Sequence, residues 1–179
     1  MVRWWRTNMD RTGLGAGQIA GLFLCAMIFI PEGAPASLPA QRRAAGNWEV
    51  TRFGNDLVIE HKPHMRSSAE RAAAIVQMAR RRFYALADTS FPFEIRVLLA
   101  SSAAEFATLT RGIVPDWGAA AAVPGEGLMI ISGLSEEKPM AEAAGHEVAH
   151  VALHALSCGP VPRWFDEGIA MRLSDEWSI

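Results

Sequence analysis

The sequence has little cysteine, little tyrosine and no clustered charge. It contains two cysteines and one tyrosine in 179 residues, and its formal net charge at pH 7 is −2. Because no block of acidic or basic residues is present, nothing in the charge pattern indicates a nucleic-acid partner. The chain has no internal repeats, and its length is that of one domain with an appendage.

A long membrane-spanning run is also missing. The one extended apolar stretch, 19–30, has 12 residues, which is short for a helix that crosses a bilayer. Three arginines precede it, Pro31 ends it, and Ala34-Pro35-Ala36 offers a cleavage site of small residues. We therefore expect residues 1–36 to be a cleaved signal peptide and the protein to be exported, either periplasmic or secreted. The alternative is an uncleaved N-terminal membrane anchor that places the domain on the same side.

The rest of the chain divides into a linker and a folded domain. Residues 37–46 have linker composition, which leaves 47–179 as the domain. Cleavage would remove Cys25, so that Cys158 would have no partner for an internal disulfide.

Periodicity and turn residues predict both strands and helices in this domain. The predicted strands are 48–51, 57–61, 94–100 and 128–132, and the predicted helices before the C-terminal region are 66–87 and 102–109. The glycine- and proline-rich stretch 112–127 is expected to be a loop, although 119–123 could form a short strand. His61, at the end of the second strand, and His64, just after it, are expected to be solvated loop residues and not metal ligands.

The main concentration of chemistry-bearing side chains is His146-Glu147-Val148-Ala149-His150, within a predicted helix over 140–156. Residues four apart on a helix share one face, so His146 and His150 lie about 6 Å apart along the axis. Two imidazoles at this spacing can bind one metal ion, while Glu147 can reach a water on the metal as a general base. The alternative is that both histidines are simply buried in a core helix.

A second segment, 162–170, offers a third ligand. The turn residues Cys158-Gly159-Pro160 separate it from the first helix. A catalytic zinc takes three protein ligands and keeps one open position, and Glu167 on the second helix would complete the set. We expect Cys158 to be a small apolar turn residue and not a ligand.

Together the two segments resemble a known family. H-E-x-x-H followed by W-F-x-E-G-x-A is similar to the gluzincin metallopeptidases, and most closely to the peptidase MA-like family. The resemblance covers the chain from 145 onward, and its matching positions are His146, Glu147, His150, Trp164, Phe165, Glu167, Gly168 and Ala170. It implies that His146, His150 and Glu167 bind Zn²⁺ and that Glu147 is the catalytic base.

The resemblance also implies a fold. It is a zincin-like α+β domain, in which a small mixed or antiparallel sheet has helices packed on one face. The H-E-x-x-H helix is central, the helix that carries Glu167 lies beside it, and Leu128–Ser132 lies near a sheet edge with which a peptide substrate can pair.

The sequence departs from the family at two places. Many gluzincins carry an acidic residue one turn after the ligand glutamate, where it orients a zinc-bound histidine, but Met171 stands there. No tyrosine or histidine follows Glu167 to stabilise an oxyanion, so we expect the domain to be C-terminally short. Asp166 is a candidate to orient a ligand from behind. His154 is another, unless it is a cleft residue or a hydrogen-bonded core histidine.

Two functions follow from these motifs. The first is a zinc-dependent metallopeptidase that hydrolyses peptide bonds in a peptide or protein substrate, with a zinc-activated water and Glu147 as general base. The alternative is a non-catalytic, zinc-binding gluzincin-like domain that acts in structure or protein interaction. A membrane-anchored module without metal would require both motifs to be accidental.

Overall fold

A computed structural model describes residues 47–89, 93–112, 114, 118–135 and 137–174. The predicted signal segment and linker, 1–46, lie outside these residues, so the expected export or membrane anchoring stays a prediction. The described chain is an α+β fold with a five-stranded mixed sheet and four α-helices. No helix in this part of the chain is both long enough and apolar enough to cross a membrane.

The sheet has parallel central pairs and antiparallel outer pairs. Its strands are β1 (Glu49–Arg52), β2 (Leu57–His61), β3 (Ile95–Ala100), β4 (Ala120–Val123) and β5 (Leu128–Ser132). They lie in the order β1-β2-β3-β5-β4, with β2, β3 and β5 parallel to one another. Strands β2, β3 and β5 are apolar along most of their length, as expected where both faces of a sheet are covered.

Three of the four helices cover one face of this sheet. The helices are α1 (Arg66–Ala87), α2 (Ala103–Leu109), α3 (Glu137–Leu156) and α4 (Arg163–Leu173). The main core joins α1, α3 and α4 to alternate residues of the central strands, such as Ile59, Val97 and Met129. A smaller core on the other face joins α2 to the intervening residues, such as Leu98 and Ile130. The expectation that all helices pack on one face is therefore wrong for α2, because the central strands are apolar on both sides.

The edge of the sheet beside α3 is β4. The loop expected over 112–127 contains this strand, since Ala120–Val123 pairs antiparallel with β5. Leu128–Ser132 is the next strand inward and has a neighbour on each side. The edge strand consists of three alanines and a valine, so it carries no charged side chain.

Helix α2 begins with hydrogen bonds that involve Ser101, Ser102 and Glu105. The Ser102 side chain accepts a hydrogen bond of 3.0 Å from the backbone N–H of Glu105. The Glu105 carboxylate in turn accepts hydrogen bonds from the backbone N–H and the hydroxyl of Ser101, at 2.7 and 2.6 Å. The bond to Ser102 satisfies a backbone donor that the first turn of a helix leaves unpaired, and the bonds from Ser101 hold the Glu105 carboxylate at the helix start.

Candidate metal centre

Helix α3 holds two imidazoles inside the protein. Its apolar residues Val148, Ala149, Val151 and Ala152 are buried in the main core, which fixes the rotation of the helix about its axis. The rings of His146 and His150 are also buried, with their centroids 4.8 Å apart and their planes at 68°. Packing thus places both rings on one face and restricts their rotamers.

Helix α4 runs back along α3 after a short turn that contains Pro160 and Pro162, two residues that interrupt a helix. The two helices approach closely at Gly145, where an added Cβ would lie 3.4 Å from the Cα of Ser174. This antiparallel arrangement brings the first half of α4 against the histidine-bearing face of α3.

The third predicted ligand lies beside the first. Glu167 Oε2 is 3.7 Å from His146 Nε2, and one ligand atom from each of His146, His150 and Glu167 lies within 4.8 Å of the others. Ligand atoms about 2 Å from a tetrahedral ion lie about 3.3 Å from one another. The three side chains therefore need only small rotations to converge on one ion, and two imidazoles with a carboxylate form a donor set typical of catalytic zinc.

A buried carboxylate defines the tautomer of His150. Asp166 Oδ1 accepts a hydrogen bond of 2.7 Å from His150 Nδ1, so Nδ1 carries the ring proton. In the neutral ring Nε2 then presents a lone pair. This atom is buried and has no hydrogen-bond partner among the described residues. A buried acceptor without a partner costs about 1–3 kcal/mol, which a metal bond at this atom would offset.

Asp166 also contacts His154. Its second oxygen, Oδ2, lies 3.3 Å from His154 Nε2. Burial alone would raise the pKa of Asp166, but the hydrogen bond and charge of His150, followed by those of His154, hold that pKa below its usual value. Asp166 is thus a carboxylate near neutral pH, the form that can orient a ligand histidine from behind.

Glu147 faces the same three side chains. Desolvation raises the pKa of its carboxyl group. The charges of His150 and His146 and a backbone hydrogen bond from Ala122 lower that pKa, but they do not offset the desolvation. The charge of Glu167 raises it further. A carboxyl group with a raised pKa suits a step in which it first accepts and then returns a proton near neutral pH.

The other residues considered from the sequence lie elsewhere. His61 is fully buried at the end of β2, so the expectation of a solvated loop residue is wrong, because both of its ring nitrogens have hydrogen-bond partners inside the protein. Its Nδ1 donates to the Lys62 carbonyl at 2.8 Å, and its Nε2 accepts from the Thr51 hydroxyl at 2.9 Å. His64 is exposed, and Cys158 is an exposed turn residue outside the ligand cluster.

One contact of the site could not be found by scanning for reactive side chains. The backbone N–H of Ala122 lowers the pKa of Glu147, and the Ala122 side chain carries no chemistry. A run of small residues gives no indication that its backbone lies at a site.

Comparison with known proteins does not assign the chain to a family. No protein-family model, curated protein or solved structure matches it. The similarity to gluzincins therefore stays a prediction from the two motifs.

Proposed function

We propose that the protein is a zinc-dependent metallopeptidase with a gluzincin-like site. The observation that carries the proposal is the buried Nε2 of His150. Its ring is fixed by Asp166, it has no hydrogen-bond partner among the described residues, and it lies next to His146 and Glu167. If the helix had only a structural role, this buried acceptor would stay without a partner, which is unfavourable. A metal ion bound at Nε2 would satisfy it.

The residues divide into holding and proton-transferring roles. His146, His150 and Glu167 hold the ion, and Asp166 keeps the Nδ1 proton of His150 in place so that Nε2 is the donor. Zinc in such a site supplies a water with a pKa near neutrality and an electrophile for a carbonyl oxygen. Glu147 would accept the proton of an attacking water and return it to the leaving amine of the cleaved peptide.

The substrate class follows from the strand beside α3. Strand β4 is a sheet edge without charge or proline, and such an edge accepts another extended strand through backbone hydrogen bonds. An extended peptide that added to β4 would lie along the helix that carries Glu147. This arrangement supports a zincin-like fold and a peptide substrate.

The second candidate is a zinc-binding domain without turnover. It is favoured by one observation, that residues 168–179 contain no tyrosine or histidine. A side chain of the kind that stabilises the oxyanion in gluzincins is therefore not found within these twelve residues. Such a domain would bind zinc as tightly as an enzyme and would be stabilised by it.

The test begins with metal content, measured by mass spectrometry on the full chain and on the Glu167→Ala and His150→Ala variants. We expect one zinc per wild-type chain and little in either variant. The protein is then incubated with casein and a fluorogenic peptide library, with chelator and after zinc is returned. Turnover that follows zinc supports the peptidase, and zinc without turnover supports the second candidate. A wild-type chain that cannot be loaded with zinc contradicts both.

A further inference from the structure

The end of α3, the turn after it and the start of α4 form an apolar tip, residues 153–165. Most residues of this tip are exposed. Trp164 is 77% exposed, more than any other large hydrophobic residue in the described part of the chain, and Phe165 is 41% exposed. Their rings pack edge to face with centroids 5.7 Å apart. Large apolar groups exposed together on a surface are typical of a site that meets a partner or a membrane.

The charge of this tip is positive. Residues 153–165 contain no aspartate or glutamate, and their one permanently charged side chain is Arg163. This side chain is 81% exposed, and its Nε lies 3.8 Å from Glu167 Oε1, so the pair contributes little. Helix α4 starts inside the tip, and its N-cap residue Pro162 provides no side-chain cap. The acidic residue of the first turn, Asp166, is buried. The positive end of the helix dipole therefore adds to the charge of Arg163, and both favour an anionic partner.

We infer that the apolar tip docks on an anionic lipid bilayer. Exposed aromatic rings beside a basic residue have the chemistry of the membrane–water interface, where the rings lie at the level of the headgroups and the cation meets lipid phosphate. A specific protein partner would instead require a rim of polar side chains around the aromatic pair, and the tip has few.

The N-terminal segment is long enough to allow this docking. If the apolar stretch 19–30 stays in a membrane as an anchor, residues 31–46 connect it to the domain. Fully extended, this connection spans at most about 50–60 Å. A domain of this size is only about 35 Å across. Any face of the domain can then reach the bilayer, and an anchor raises the local concentration of lipid at the tip.

Docking would also define where the proposed reaction takes place. Glu167 follows Phe165 by two residues in α4, which is about 3 Å along the helix axis. The candidate metal centre would therefore lie close to the membrane surface, and its substrate would be a polypeptide segment at that surface. This consequence rests on the proposed function, whereas the docking itself does not.

Fluorescent labels on the full chain test the docking. Cys158 lies in the tip and is exposed, so Cys25→Ser leaves it as the one thiol for an environment-sensitive fluorophore. The control label is placed at Lys138→Cys, in a chain that also carries Cys25→Ser and Cys158→Ser. Lys138 is 87% exposed near the start of α3, more than roughly 20 Å from the tip along the helix. Each labelled chain is mixed with phosphatidylcholine vesicles, with and without phosphatidylglycerol, whose acyl chains carry bromine as a quencher.

We expect the label at Cys158 to shift to shorter wavelength and to be quenched by the anionic vesicles. The label at Lys138→Cys should stay in water, because interfacial insertion reaches only about 5–10 Å. Trp164→Ser together with Phe165→Ser should lower the docked fraction about tenfold or more, through the lost transfer of two rings from water. Leu134→Ser is the matched control. It removes a side chain that is 65% exposed outside the tip, and it should leave the quenching unchanged.

Arg163→Glu is a second variant, because it keeps both aromatic rings. It should weaken docking on anionic vesicles about tenfold or more and change little on phosphatidylcholine alone. Equal quenching at the two label positions would overturn the inference. Binding to vesicles without quenching at Cys158 would overturn it too, since the N-terminal segment alone would then attach the chain. A shift of the Cys158 label without lipid, together with a dimer in sedimentation, would show that the tip binds a second copy instead. These readouts use neither zinc nor turnover, so failure of docking and failure of the proposed function are distinguishable.

Discussion

Two buried histidines differ at a single atom. His61 in β2 and His150 in α3 are 0% and 2% exposed, and each has a hydrogen bond at Nδ1, to the Lys62 carbonyl and to Asp166 respectively. At Nε2 His61 accepts from Thr51, whereas His150 has no hydrogen-bond partner among the described residues. Burial alone therefore does not separate a structural histidine from a ligand. The hydrogen-bond partners of the two ring nitrogens distinguish them, and they make His150 the candidate ligand.

Two carboxylates, Glu105 and Glu147, differ in how far their neighbours compensate the cost of burial. Burial raises the pKa of Glu105, but hydrogen bonds from Ser101 and the charge of Lys62 outweigh it, and the pKa lies below its usual value. The pKa of Glu147 is instead raised, because desolvation exceeds the effects of the nearby histidines and of one backbone N–H. The charge of Glu105 is thus compensated by its neighbours, whereas the residues around Glu147 do not fully compensate the cost of burying its charge.

The largest expected effect is on turnover. Glu147→Gln removes the proton acceptor while preserving the shape of the side chain, and loss of a general base lowers kcat by about 10²–10⁴-fold. Zinc content should stay at the wild-type value, because Glu147 is not one of the three ligands. Steady-state kinetics with the best library peptide provides the measurement. Retention of wild-type kcat would exclude Glu147 as the base.

The next effect compares the two histidines directly. His150→Ala should abolish zinc binding, whereas His61→Ala should leave one zinc per chain and lower the free energy of unfolding by about 2–4 kcal/mol, through lost hydrogen bonds and a cavity. Metal titration and urea unfolding of the zinc-free proteins measure both quantities. If His61→Ala lost zinc in a chain that is still folded, the distinction drawn from Nε2 would fail.

A smaller loss of zinc affinity is expected from changes at Asp166 and His154. Asp166→Asn keeps the size of the side chain but removes its charge. Loss of a group that hydrogen-bonds to a metal ligand typically lowers metal affinity by about 10–100-fold. His154→Gln should weaken zinc binding less, because the His154 ring acts on His150 through Asp166, which it contacts at 3.3 Å. Competition with a chromophoric chelator measures both affinities. A larger loss in His154→Gln than in Asp166→Asn would place His154, and not Asp166, as the orienting group.

The sequence predicts the parts of this site that depend on local spacing. The positions of His146 and His150 on one helix face follow from their separation of four residues, and Glu167 follows from the need for a third ligand on the next helix. The Asp166–His150 bond depends on how α4 is rotated against α3, which residue types alone do not specify. The burial of His61 does not follow from the sequence, because Lys62 and Pro63 indicate a turn directly after it, and a residue at a strand end beside a turn is usually solvated. The effect of the Ala122 backbone on the pKa of Glu147 depends on strand order, which only the assembled sheet defines.

The smallest expected effect concerns Glu105. It lies at the start of α2, where Ser101 and Lys62 stabilise its charged form, so Glu105→Gln should lower the free energy of unfolding by about 1–2 kcal/mol at pH 7. The pKa of Glu105 is lower in the folded chain than the ordinary value of 4.5. The unfolded chain then binds the proton more readily, so this contribution is fully present above pH 4.5 and is lost as the pH falls through the folded pKa.

Urea unfolding of the zinc-free wild type and of Glu105→Gln, at several pH values from 7 downward, measures this contribution. The difference between the two proteins should shrink as the pH falls. Glu70→Gln is the control, because Glu70 is 59% exposed and pairs with Arg66 only at the surface of α1, where such pairs contribute about 0–1 kcal/mol. A difference for Glu105→Gln that did not change with pH would mean that its role is packing and not charge. The electrostatic contrast with Glu147 would then be lost, while the contrast between His61 and His150 would stand.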